Sequence, residues 1–324
     1  MPIVIRFHQL GGPEVLRVEN LPTGDPGPGE ARVRHTAVGV NFIDTYHRTG
    51  LYKVPLPSGV GSEAAGVVEA VGAGVTHVAP GDRVAYAGGA PGSYAQFRVM
   101  PAERLVKLPA DVGDRQAAAA MLKGMTVQYL VTRTYPVKAG DTVLLHAAAG
   151  GVGLIAVQWL KALGATVIGT VGSDAKAELA RAHGCDHVVV YTREDFTARV
   201  KEITGGRGVP VVYDPVGKST FIGSLDCLRP RGLMVSFGNA SGPVPPVDLL
   251  QLSTRGSLFI TRPTLVHYTS SRAELEATAA DLFAMMRSGK VKVEPSTAYP
   301  LAEASRCHRD LEARRTTGSL LLVP

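Results

Sequence analysis

The residues whose types and spacing promise chemistry lie in the stretch Asp141 to Asp174, DTVLLHAAAGGVGLIAVQWLKALGATVIGTVGSD. An apolar run at Thr142–His146 leads into Ala148-x-Gly150-x-x-Gly153. An apolar helix follows to Leu163, and a second β-prone run occupies Ala165–Val171. This is a dinucleotide-binding fingerprint with its first glycine replaced by alanine. Gly150 permits close backbone approach to a pyrophosphate, Gly153 lets the helix pack on the strand, and the helix N-terminus turns N–H groups and partial positive charge toward the phosphates. A glycine-rich packing turn is the alternative. The flanking strand, helix and second strand favour the dinucleotide.

The choice of dinucleotide falls after the second strand, where an NAD-selective site places a carboxylate for the ribose hydroxyl. Here Gly172 leaves room, Ser173 can donate, and Lys176 offers a positive charge to a 2′-phosphate, so NADPH is expected. Two features pull the other way. Ser173 can equally be a helix cap with Lys176 a solvated side chain, and Asp174, turned toward the ribose, would repel a phosphate. Other chemistries lack their residues. There is no HExxH, no Cys/His spacing suited to zinc and no GxSxG elbow. Gly217-Lys218-Ser219 resembles the tail of a P-loop, but Val212 stands where the upstream glycine belongs. A nicotinamide carries its own hydride chemistry, so the protein need only bind, orient and exclude water.

These residues must be positioned by elements legible in the pattern. Up to about residue 123, short β-branched runs (Ile3–Phe7, Ala31–Val40, Gly66–Val71, Arg83–Ala85, Tyr94–Val99) alternate with Gly/Pro punctuation, which predicts a small irregular barrel or sandwich. From about 124, Thr142–His146, Thr166–Val171, His187–Tyr191, Val209–Asp214, Leu233–Phe237 and Ser257–Thr261 are near-continuous apolar runs, most of them separated by helix-length segments. That alternation predicts βαβ units and a parallel sheet covered on both faces. Ser271 and Glu274 form a capping box for a helix with Leu275, Ala279, Leu282, Phe283 and Met286 on one stripe, and Gly289 stops it. The run Ser319–Val323 has no sheet partner nearby, so the tail is expected to return to the N-terminal domain.

Composition sets the bounds. The chain of 324 residues is long enough for two domains, and 45% hydrophobic with 19% charged residues is a globular balance. The 37 glycines and 22 prolines show no G-X-Y period and mean tight turns. Three scattered cysteines suit a reducing compartment and argue against a disulfide framework or thiolate metal cluster. The net charge of +6 is spread without a basic run, which fits a solvated surface or a phosphate-bearing small ligand better than nucleic acid. Thr142–Leu160 carries no formal charge, but its glycine cluster reads as a buried strand–turn–helix rather than a membrane span. The first residues show no secretion signal, and a cytoplasmic protein is expected.

Taken together, GVNFIDTYHRTGLY (39–52), APGDRVAYAG (79–88), LKGMTVQYL (122–130), LLHAAAGGVG (144–153) and the tract 211–263 resemble the zinc-independent quinone oxidoreductases. These are zeta-crystallin-like members of the medium-chain dehydrogenase/reductase superfamily. The resemblance implies an α/β protein with a GroES-like β-rich catalytic domain (1–123 and 266–324) and a Rossmann doubly wound parallel-sheet NADPH domain (124–265), with a cleft between them. It further implies a homodimer joined through Ser257–Thr261. Zinc-dependent relatives would carry a cysteine within Asn41-Phe42-Ile43-Asp44 and Gly-His-Glu in place of Gly61-Ser62-Glu63; both are missing, as is a four-cysteine lobe, so no metal is expected. The implied nicotinamide-end residues are Asn41, Thr126 and Asn239. Gly150, Gly151, Val152 and Gly153 would meet the pyrophosphate, and Gly172, Ser173, Lys176, Tyr191 and Arg314 the adenosine with its 2′-phosphate. Val216 and Phe237 are also implied as cofactor residues. Tyr46 and Tyr52 would line a quinone pocket beside Asn41 and Asp44, where a phenol can donate to an oxygen becoming anionic. In place of the serine expected after Asp214, this chain has Pro215. The implied reaction is NADPH-dependent quinone reduction by hydride transfer; reduction of α,β-unsaturated ketones or aldehydes is the alternative, and an NADPH-sensing RNA-binding protein the rival from another class.

Overall fold

The computed structural model describes residues 1–324 and divides into two units, each with its own core. One unit holds Met1–Met125, Tyr268–Ser288 and Val293–Pro324; the other holds Thr126–His267 and Gly289–Lys292.

In the first unit, strands that are antiparallel except for the parallel pair Pro295–Pro300 and Ser319–Val323 surround a core that includes Ile5, Phe7, Val33, Val38, Val68, Val84, Tyr86, Tyr94, Leu105 and Leu320. Its larger sheet runs in the order Pro295–Pro300, Ser319–Val323, Glu30–Val40, Glu63–Val71, Arg83–Ala87 and Val106–Lys107, with Phe97–Pro101 also pairing Glu30–Val40. The C-terminal strand finds its partner here, as its isolation in the sequence implied. Leu320, Leu321 and Leu322 lie antiparallel to Val40, Gly39 and Val38. A smaller sheet joins Arg17–Asn20, Ile3–Phe7 and Ser58–Gly59. The strand expected at Tyr94–Val99 starts later, at Phe97; Ala95 makes only an isolated bridge to Val4.

The helix Arg272–Arg287 starts where the capping box places it: Ser271 Oγ accepts the Glu274 N–H at 3.2 Å, and Glu274 reaches back to the Ser271 N–H at 3.3 Å. Leu275, Ala279, Leu282 and Phe283 are its buried stripe, while Met286 is only half-buried. Gly289 takes the left-handed conformation, φ 71°, that stops it.

The second unit is a six-stranded sheet, all parallel, in the order His187–Val190, Thr166–Val171, Thr142–Leu145, Val209–Asp214, Leu228–Ser236, Phe259–Thr261. The first strand in sequence thus lies in the middle, and the order reverses beside it. In such sheets ligands bind outside the carboxyl ends of the strands at that reversal. Val209–Asp214 and all but the first residue of Thr142–Leu145 and of Thr166–Val171 are buried, which is why they read as continuous apolar runs rather than alternating ones. The strand expected at Leu233–Phe237 begins earlier, at Leu228. No helix is long and apolar enough to cross a membrane.

Candidate active site

In the second unit, the strand Thr142–Leu145 runs straight into the glycine turn and the helix Gly151–Ala162. The tight reversal is taken by Ala147, at φ 56°, a left-handed conformation a small side chain tolerates. Its carbonyl accepts the Gly150 N–H at 2.9 Å. Ala148, in the place of the missing first glycine, is fully buried, and its N–H donates to Thr170 O at 3.1 Å. Gly169 on the neighbouring strand makes room, for a Cβ there would lie 2.7 Å from that of Ala148. The fingerprint therefore survives the substitution because the next strand gives up a side chain. Gly153 is obligatory: its Cβ would sit 2.2 Å from the Ala147 carbonyl oxygen. The helix N-terminus has Gly150 as its cap and no side chain satisfying it, so its first turn faces outward as backbone alone. Such a turn suits a pyrophosphate.

At the end of the second strand, Gly172 lies under Tyr191; a Cβ there would come 2.8 Å from the phenol oxygen. Ser173 caps the helix Asp174–Ala182, its Oγ accepting the Lys176 N–H at 3.4 Å, so the capping role weighed from the sequence is present. Lys176 is half-buried on the same turn. Asp174 is paired with a neighbouring cation. Both of its oxygens are taken by Arg193, at 2.8 Å and 2.5 Å, and those hydrogen bonds hold its carboxyl below its ordinary range. Arg193 was not singled out by sequence reasoning, because nothing in the pattern marks a pairing across nineteen residues.

The next two strand ends carry Val216, Phe237 and Asn239. The fully buried Asp214 organises the first of these turns: its Oδ1 accepts the N–H groups of Val216 (2.7 Å) and Gly217 (3.0 Å), and its Oδ2 the Thr220 hydroxyl (2.7 Å). Pro215 fits because it needs no N–H of its own, and its carbonyl packs where a Cβ on Gly238 would intrude at 2.2 Å. Arg262 ties down the second turn, donating to Ser236 Oγ at 3.1 Å and Gly238 O at 2.9 Å. With its amide oriented to satisfy its partners, Asn239 accepts from the same guanidinium at 2.9 Å. Thr126 is buried on the helix Asp114–Tyr129. Arg314, exposed at φ 57° just past the helix Ala304–Glu312, belongs to the first unit. NADPH fits what the second unit offers at its strand ends: an uncapped helix mouth, small residues where the backbone must be approached, and a cation beside Ser173.

The first unit brings Asn41, Asp44, Tyr46 and Tyr52 onto one short helix, Phe42–Thr49, and the turn after it. The Tyr52 N–H donates to Tyr46 O at 3.0 Å, and the two rings meet edge-on with centroids 5.3 Å apart. Asn41 is the helix N-cap, and its Nδ2 donates to Glu63 Oε2 at 2.7 Å. Asp44 faces inward: fully buried, its Oδ2 accepts the Asn41 N–H at 2.8 Å and the Tyr94 hydroxyl at 3.0 Å, while Oδ1 has no partner. Behind Tyr94, at 3.0 Å, stands His308 Nε2. Arg48 Nη1 lies 2.9 Å from His308 Nδ1. A guanidinium only donates, so Nδ1 accepts and Nε2 carries the proton of a neutral ring. Burial, with Arg48 adding to it, depresses the His308 pKa to about 3, whereas burial raises the Asp44 carboxyl to about 7. This polar chain was invisible in sequence, since its members come from three distant segments.

Glu63, at the position where zinc-dependent relatives were expected to keep a Gly-His-Glu, is committed to Asn41, to Lys123 Nζ at 3.2 Å and to the Leu122 N–H at 2.6 Å. Nowhere do three His, Cys, Asp or Glu side chains gather into a set that could hold a metal ion.

A mostly antiparallel β-rich unit and a doubly wound parallel sheet with a glycine turn together define the two-domain architecture of the medium-chain dehydrogenases/reductases. Residues 27–110 match the alcohol dehydrogenase GroES-like domain and residues 151–284 the zinc-binding dehydrogenase family. The chain is 54% identical to a quinone oxidoreductase of Pseudomonas aeruginosa and 50% identical to a 2-haloacrylate reductase of a Burkholderia species, covering 99% and 98% of each chain respectively. It superposes on the crystal structure of the Escherichia coli quinone oxidoreductase complexed with NADPH with a TM-score of 0.98, at 51% identity over 99% of this chain and 100% of that one. The chain belongs to the zeta-crystallin-like quinone oxidoreductase family.

The buried Asp44 yields a pH test. A carboxyl whose folded pKa is about 7, against about 4 when unfolded, contributes stability that is fully present below the unfolded value. That contribution is lost as pH rises through the folded value. In urea titrations, the unfolding free energy of wild type relative to Asp44→Asn should fall as pH rises from about 4 to about 8, at up to about 1.4 kcal/mol per unit. The buried histidines His35 and His308, depressed to about 4 and about 3, act in the opposite sense but are common to both proteins. A difference that is flat across this range contradicts the assignment.

Proposed function

We propose that this protein reduces quinones with NADPH. The observation that carries the reading is the strand–turn–helix at Ala147–Gly153, whose first turn no side chain caps. The quinone oxidoreductase relatives and the NADPH-bound neighbour support the substrate and the cofactor. The backbone at Gly150–Gly153 would hold the pyrophosphate, and Val216, Phe237, Asn239 and Thr126 the nicotinamide end. Gly172, Ser173, Lys176, Tyr191 and Arg314 would take the adenosine and its 2′-phosphate. The pairing of Asp174 with Arg193 supports this, since it sets a cation against the carboxylate that would oppose a phosphate. The reduced nicotinamide supplies the hydride. Tyr46 and Tyr52 would form the aromatic wall against a flat acceptor, and Asn41 would orient it. Asp44 would work from behind, fixing Asn41 by its N–H. No metal is assigned, because the Glu63 carboxylate is committed to three donors.

The 50% identity to a 2-haloacrylate reductase favours a second reading, reduction of conjugated carbon–carbon double bonds by the same hydride geometry. Steady-state NADPH oxidation against quinones, enones and 2-haloacrylates tests both. Higher kcat/KM for quinones supports the first, and turnover confined to the other acceptors contradicts it.

Cofactor choice has its own test. Lys176→Ala should weaken NADPH binding by about 1.5–3 kcal/mol, the range for hydrogen bonds to charged groups, and leave NADH nearly unchanged in calorimetric titrations. Equal losses for both cofactors would remove the phosphate role.

A homodimer through the sheet edge and a cytoplasmic location complete the proposal. The edge strand Phe259–Thr261 leaves Phe259 60% exposed beside unpaired backbone, a surface suited to pairing with its own copy. The three cysteines are free and buried. Sedimentation equilibrium should give the dimer mass, reduced to the monomer by Phe259→Asp; a wild-type monomer contradicts the interface.

A further inference from the structure

Lys123 is a charged side chain that the functional reading leaves without a role. It interrupts a run without formal charge that extends from Gln116 to Thr132. On the helix Asp114–Tyr129 its side chain is only 6% exposed. Its Nζ makes one hydrogen bond, to Glu63 Oε2 at 3.2 Å, on the same oxygen that accepts Asn41 Nδ2 at 2.7 Å. The Glu63 Oε1 is taken by the Leu122 N–H at 2.6 Å. The carboxylate therefore has three donors, while an ammonium with three N–H groups has a single acceptor. A buried ammonium so poorly partnered is a poor device for stability, since apolar residues of similar volume serve a core as well or better. The fold nevertheless makes space for the arrangement. A Cβ on Gly39 would lie 2.2 Å from Glu63 Oε2, so the strand Glu30–Val40 forgoes a side chain to let the carboxylate lie there.

We propose that Lys123, held by Glu63 beside Asn41, is a catalytic cation that stabilises the negative charge developing on the acceptor oxygen. This rests on the reading that the acceptor binds at Asn41, Tyr46 and Tyr52. Hydride addition brings one proton and two electrons to the acceptor. The π-electron pair of its conjugated carbonyl system moves onto oxygen, giving a hydroquinone anion or an enolate while the nicotinamide is oxidised. The uncommitted N–H groups of Lys123 donate to that oxyanion, which then takes a proton from water. The ammonium keeps its own proton. Such a donor, aimed at charge that grows during the reaction, acts on kcat rather than on cofactor binding.

The test compares wild type with Lys123→Met, Lys123→Arg and the double variant Lys123→Met/Glu63→Gln, which leaves no buried carboxylate unpaired if the single variant unfolds. With benzoquinones as acceptors, kcat of the double variant should fall about 100-fold or more, as for loss of a preorganised oxyanion donor. Its fluorescence-measured Kd for NADPH should stay unchanged. The loss should deepen across a series of substituted benzoquinones as the hydroquinone anion becomes more basic, and Lys123→Arg should recover part of it. A double variant with wild-type kcat, or a loss equal for every quinone, overturns the role of Lys123 while leaving the functional reading standing. A wild-type protein that oxidises NADPH with no quinone or enone overturns both.

Discussion

The second unit depends on a reversal of chain direction at the carboxyl end of its central strand. From Leu145 the backbone must leave the sheet, turn, and enter a helix whose N-terminus sits above the strand it came from. Ala147 takes the left-handed residue of that turn, and Gly153 lies too close to its carbonyl for any side chain. Backbone hydrogen bonds within the turn fix its shape, so the helix mouth is set before any ligand arrives. The electrostatics follow from geometry alone: aligned peptide dipoles end at a turn that no side chain caps. The neighbouring strand ends are then stiffened around this mouth by the buried Asp214 and the exposed Arg262. Asp214 gathers the amides of one turn and Arg262 the carbonyl and hydroxyl of another.

The first unit uses polar groups differently. Its interior carries two carboxyls in contrasting surroundings. Glu63 accepts hydrogen bonds from three donors. Asp44, with one oxygen unpartnered, has its pKa raised by burial. Both meet at Asn41, whose side chain is held by one and whose N–H by the other. A residue fixed from two sides by buried carboxyls loses little further freedom when a substrate arrives, which is the advantage of preorganisation.

Much of this was legible in the sequence, for identifiable reasons. The central parallel strands are buried on both faces and so left continuous apolar runs. The capping box at Ser271 and Glu274 is a local device with a fixed spacing. The glycine turn is recognisable because its backbone constraints act over six residues. What stayed hidden is whatever depends on distant segments meeting. Glu63 and Lys123 are sixty residues apart. Tyr94 and His308 are separated by most of the chain, and Arg193 reaches Asp174 from the far side of a strand and helix. Asp174 itself was ambiguous for the same reason, since the sequence shows a carboxylate but not where it points. The lysine inside the otherwise uncharged run from Gln116 to Thr132 was the one available hint of the first unit's buried charge.

The measurement that bears most directly on the whole account is a crystal structure of the protein grown with NADPH. The account predicts pyrophosphate oxygens within about 3 Å of backbone N–H groups at Gly151 and Val152, with the 2′-phosphate against Ser173 and Lys176. Phosphates bound elsewhere, with the helix mouth facing only solvent, would contradict it.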